Sequence, residues 1–142
     1  QKRDNPDFKK QDMDDLVNMQ TGVMGYKGKI VYSVTGDINK ELAELAATTK
    51  NKNELITLTA QLIDRRIHSN YSIYAVNKVA YDLLNGTTRF EKEYTIMEKL
   101  DFESYIEKQI QKIDLINKDL DFLKKKILEM YANPLINYLQ AK

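Results

Sequence analysis

The sequence predicts an all-α fold, an elongated helical bundle of four or five helices forming a single domain over 1–142. Three observations carry this prediction. Ile106, Ile113, Leu120 and Ile127 recur every seven residues, and Ile116, Leu123 and Met130 each follow one of the last three by three residues. That coiled-coil-like seam predicts a long C-terminal helix over about 104–131. Helix-start signatures of Ser, Thr or Asn followed three residues later by Glu recur at Asn51, Thr88 and Ser104. Finally, two prolines and five glycines are too few for the many turns of a sandwich or barrel.

The first helix opens at Asn5-Pro6-Asp7, with Asn as cap, Pro at the first helical position and an acid in the first turn. Phe8, Met13, Leu16 and Val17 give it a short apolar face, ending near Met19. Asp12, Asp14 and Asp15 crowd the same helix but lack the alternation and the glycine of a calcium loop, so they read as a solvated acidic face.

Residues 21–36 form a glycine-bearing irregular connector that holds four of the five glycines. Gly22, Gly25 and Gly28 followed by Lys29 fail the Walker pattern, since five residues separate Gly22 from Gly28 and Ile30 follows the lysine. The dinucleotide fingerprint fails too, because its first two glycines stand one residue apart. Ile30-Val31-Tyr32-Ser33-Val34 has strand-like composition. With no second convincing strand to pair it, it reads as an extended segment or a poor helix.

Asp37 caps the next helix, whose apolar stripe is Ile38, Leu42, Leu45 and Ala46. Asn51 with Glu54 starts another, with Leu55, Leu58, Leu62, Ile63 and Ile67 on one side. The periodicity blurs at His68-Ser69-Asn70 and resumes at Ile73, Val76, Ala80, Leu83 and Leu84 up to Gly86, a C-terminal cap glycine. One long helix and two helices both fit 53–85. The single helix is preferred because no Pro or Gly interrupts it.

Thr88 with Glu91 starts a helix carrying Phe90, Tyr94 and Met97 inward, and Ser104 with Glu107 starts or kinks the last one. Asp114 with Lys118 and Asp121 with Lys125 are acid-before-base pairs four apart, which support a continuous exposed face. Pro134 is expected to end this helix, leaving Leu135, Ile136, Tyr138 and Leu139 as an apolar tail that turns back over one end of the bundle.

Function is bounded more than it is specified. The absence of cysteine excludes disulfides, thiolate zinc sites and thiol nucleophiles. A net charge of +1 gives no general pull toward nucleic acid or an anionic membrane, and no apolar run approaches the ~20 residues of a membrane span. Arg65, Arg66, His68 and Lys78, interleaved with tyrosines, resemble a single-strand nucleic-acid strip, but Asp64 and Asp82 dilute it. His68 is the only histidine. Its four-residue spacing from Asp64 is half of a general-base pair with no nucleophile to complete it. Neither catalytic residues nor a cofactor nor a metal is expected.

Nine tyrosines without tryptophan suit an interface or a pocket wall, and Tyr71, Tyr74 and Tyr81, on one predicted helical stripe, are the candidate binding residues. The chain begins at Gln1, and glutamine directly after a cleaved export signal is common in exported proteins of the Bacteroidetes. The Lys, Asn, Ile and Tyr-rich composition suits an AT-rich genome, so a periplasmic or secreted location is expected. Long amphipathic helices with a glycine-bearing connector are similar to exported helical adaptors, including minor subunits of type IV secretion systems, and equally to sensor bundles.

The expected function is a non-enzymatic structural or interaction module that presents a helical face to a protein partner or to its own copy. The alternative is a bundle that senses or carries a small molecule.

Overall fold

The computed structural model describes residues 5–25, 28–113, 115 and 117–142. The chain falls into two compact units, Gln1–Tyr32 and Ser33–Lys142, whose boundary lies inside the predicted connector. The first unit holds α1 (Asp12–Met24). The second holds α2 (Asn39–Thr48), α3 (Lys52–Ser69), α4 (Ala75–Asn85), a 3-10 turn at Glu91–Glu93, α5 (Ile96–Gln111) and α6 (Leu120–Ala141). The fold is all-helical with a long C-terminal helix, and the described residues include no strand.

The core of the second unit lies among α4, α5 and α6. Val79, Ala80, Phe102, Ile106, Leu128 and Ala132 form one buried cluster, and Leu135 is buried as well. α4 packs most extensively on α6, and two wholly buried alanines, Ala80 and Ala132, let the helices approach closely. Burying Ile106 or Val79 is worth ~1.5–3 kcal/mol each. α2 packs on α3 alone, α3 reaches α6, and neither α2 nor α3 buries a single residue.

Several predicted boundaries move, each for a local reason. The expected helix over 104–131 is two helices, and the long C-terminal one is α6 at Leu120–Ala141. Lys118 Nζ lies 3.3 Å from the carbonyls of both Ile110 and Gln111 and satisfies the open end of α5. Asp119 then caps α6 by accepting from Phe122 N at 3.0 Å. Asp114 and Ile116, an ion-pair and a seam position of the predicted helix, lie outside the described residues. The interruption resets the helical phase. Leu120 and Met130 are 57% and 60% exposed, while Leu128, Ala132 and Leu135 face the core.

α6 also runs through Pro134 instead of ending there. Proline cannot donate to Met130 O. In the same turn Asn77 Nδ2 donates to Tyr131 O at 2.9 Å, so a side chain from α4 supports the helix where its own ladder is weakest. Leu135 is buried in this continuation and is not part of a returning tail.

The preferred single helix over 53–85 is two helices. Asn70 turns its amide back onto Arg66 O at 2.9 Å and ends α3, and Asn77 Oδ1 accepts from Tyr74 N at 2.8 Å to start α4. Gly86 closes α4 in the left-handed region, at φ 61°, as the sequence predicts.

Neither Thr88 nor Ser104 starts α5; the capping box that does, Thr95 with Glu98, is not among the predicted helix starts. Thr95 Oγ1 accepts from Glu98 N at 3.2 Å, and Glu98 Oε2 accepts from Thr95 N at 2.8 Å. Thr88 begins only the 3-10 turn, through Glu91 N donating to its carbonyl, and Ser104 sits in mid-helix. At the N-terminus Asn5 caps a single turn, accepting from Asp7 N at 3.1 Å. The helix proper starts later and runs past Gly22.

Candidate functional site

The three candidate tyrosines occupy three different settings. Tyr71 lies in the break ahead of α4, 36% exposed, its ring 5.3 Å from that of His68. Tyr74 is half-buried at the N-cap of α4. Tyr81, at the edge of the core, meets Phe90 edge-on at 5.3 Å and lies under the Arg89 guanidinium at 5.7 Å. The helix break therefore separates Tyr71 from the other two, and Tyr81 is occupied by its own neighbours.

The basic strip is likewise dispersed. Arg66 pairs with Glu41 across α2 and α3, and Lys78 pairs with Glu93 at 2.8 Å. Among the described residues no hydrogen bond joins His68 to Asp64.

Two buried polar groups that periodicity did not single out organise the second unit. Asn77, 7% exposed, accepts from Tyr74 N and donates to Tyr131 O, tying the start of α4 to α6. Asp82, 3% exposed, accepts from Thr87 Oγ1 at 2.9 Å, Phe90 N at 2.9 Å and Tyr94 Oη at 3.1 Å, fixing the turn between α4 and α5. Burial, followed by the hydrogen bond to Asp82, raises the Tyr94 pKa above the ordinary tyrosine value.

Beside Asn77, Phe102, Tyr105 and Tyr131 form an aromatic triad. Tyr131 packs edge-on against Phe102 at 5.0 Å and donates from its hydroxyl to Tyr105 Oη at 2.8 Å. Burial, with the Tyr105 hydrogen bond second, pushes the Tyr131 pKa well up. The only sequence signal for either buried group was a polar residue set between core positions, Asn77 before Val79 and Asp82 after Ala80.

An open hollow of about 550 Å³ is walled by Asp82, Thr87, Glu91, Tyr94, Ile96 and Lys99. A second, of about 420 Å³, lies between α2 and α3 beside Leu45, Leu58 and Leu62. None of the three candidate tyrosines lines either hollow. The Asp82 carboxylate in the wall of the first hollow already accepts three hydrogen bonds from its own chain. Among the described residues, no three His, Asp or Glu side chains converge as a metal site, and no helix is long and apolar enough to cross a membrane.

Large apolar side chains also remain open to solvent. α1 carries Met13, Leu16, Val17 and Met24 along one stripe, with Met19 and Val23 beside it, all at least 53% exposed. α3 exposes Ile56, Ile63 and Ile67, which lie on one face adjoining its half-buried leucines. α5 exposes Ile96, Met97 and Leu100 on the side away from Phe102 and Ile106. In comparisons with known proteins, no protein family, curated relative or solved structure matches the chain.

Proposed function

We propose that the protein is a non-enzymatic interaction module that offers apolar helical faces to a protein partner or to a second copy of itself. One observation carries this reading: the division of burial along the chain. Every buried hydrophobic residue among those described falls between Val79 and Leu135, and α1, α2 and α3 contribute none. Helices of this length draw their stability from packing an amphipathic face and not from propensity. The exposed stripes of α1 and α3 have the apolar chemistry that contact surfaces use, and methionine on α1 suits an adaptable one.

Leu16→Glu with Val17→Glu, and separately Ile56→Glu with Ile63→Glu, test the reading. Each pair is expected to leave chemical-denaturation stability within about 0.5 kcal/mol per site of wild type, as surface changes do, while lowering association seen by light scattering. A loss of ~2 kcal/mol or more would show that these faces are internal core and would overturn the proposal.

A further inference from the structure

The boundary between the two units falls in a stretch, 28–37, that is neither helix nor strand. Its residues 29–35 read Lys-Ile-Val-Tyr-Ser-Val-Thr, in which all but the lysine and serine are β-branched or aromatic. The apolar side chains are open to solvent, Ile30 at 58%, Val31 at 45%, Tyr32 at 91% and Val34 at 96%. No main-chain N–H or C=O of 29–35 hydrogen-bonds to another described residue. The run carries one charge and no proline, and it is bracketed by Gly28, at φ 65°, and Gly36. A segment of this composition with an unpaired backbone is a template for strand pairing.

We infer that 29–35 pairs with the same segment of a second copy, antiparallel about a two-fold axis through Tyr32. The described residues of this chain hold no strand, so the chain offers the segment no sheet edge of its own. The sequence is self-matching in that register. Ile30 meets the partner's Val34, Tyr32 meets the partner's Tyr32, Val31 meets the partner's Ser33, and Lys29 meets the partner's Thr35. β-branched and aromatic pairs stand opposite one another and no like charges are opposed, whereas a parallel in-register pair would set lysine on lysine. Ile30, Tyr32 and Val34 also share one face, as the period of two requires.

A strand partner of another protein would not need this symmetry, which is why a second copy is favoured. A two-stranded ribbon is marginal alone and needs a cover. Exposed Met, Leu and Val side chains of the kind α1 carries are suited to such a cover.

This inference rests on the proposed function and names the partner. The chain has no cysteine, so single-cysteine variants of the full protein report on register directly. Directly opposed residues of an antiparallel pair have Cα atoms roughly 4.5–5.5 Å apart, within disulfide reach. Val34 and the partner's Val34 would be offset by four residues, roughly 13 Å. Under mild oxidation Tyr32→Cys is expected to form a disulfide dimer on the order of tenfold faster than Val34→Cys, although the two sites are equally open. The wild-type chain is expected to rise toward a two-copy mass with concentration. Equal rates for the two variants, no cross-link in either, or a mass fixed at one copy overturns the inference. The wider reading fails separately, if the α1 and α3 substitutions destabilise the fold.

Discussion

Asn77 ties two helices of the second unit together. Its amide is buried, it starts α4 through Tyr74 N, and it supports α6 at Tyr131 O in the turn weakened by Pro134. Asn77→Ala leaves both backbone groups without that partner and is expected to cost ~1–3 kcal/mol in urea denaturation. An effect below about 0.5 kcal/mol, the range of surface changes, would mean that water replaces the amide without loss. Tyr131 makes a second prediction, in pH. Folding raises its pKa, so its contribution is fully present below about pH 10, the unfolded tyrosine value, and is lost as pH climbs beyond it. Tyr131→Phe is expected to lose stability less steeply than wild type between pH 9 and about pH 11, and parallel curves would contradict the assignment.

At the scale of elements, the sequence and the structure agree on helix type and diverge on where helices start. The caps at Asn51 and Gly86 were legible because side chain and backbone conformation act within a few residues. Asn51 accepts from Asn53 N at 2.9 Å and Gly86 takes the left-handed turn. The break before Asp119 was not legible, since Asp114, Lys118, Asp121 and Lys125 have the spacing of a continuous helix. What defeats that spacing is Lys118 reaching back to α5, a contact that periodicity does not encode.

Helix starts are predicted at Thr88 and Ser104 and not at Thr95, which tertiary packing selects. Starting α5 at Thr95 places Phe102 and Ile106 together on the face buried against α4 and α6. Thr95→Ala is accordingly expected to cost ~0.5–2 kcal/mol. Ser104→Ala, in an exposed mid-helix position, should be neutral or stabilising by about 0.5 kcal/mol. The opposite order in a thermal melt would restore Ser104 as the cap. For the candidate site, the tyrosines were legible as a composition. Their separation was not, because it follows from the non-helical run at 71–74 between α3 and α4.

At the scale of the whole molecule, the distribution of burial implies two tiers of stability. Residues of α4, α5 and α6 share one core, and a cavity made there should be felt throughout the second unit. Ile106→Ala is expected to cost ~2–5 kcal/mol, measured by denaturant midpoint, while Met97→Ala on the opposite side of α5 should stay within about 0.5 kcal/mol. The described residues of the N-terminal third include exposed apolar faces and a strand-like run without main-chain pairing, and none of their hydrophobic side chains is buried.

Residue-resolved amide hydrogen exchange, in dilute and in concentrated solution, tests this division most directly. The amides of 79–84, 102–106 and 128–135 should be the slowest to exchange at either concentration. Those of α1 and of 29–35 should exchange quickly when dilute and become protected as the chain is concentrated. Protection of α1 equal to that of α4 in dilute solution, with no change on concentration, would contradict the claim that its apolar face is a contact surface.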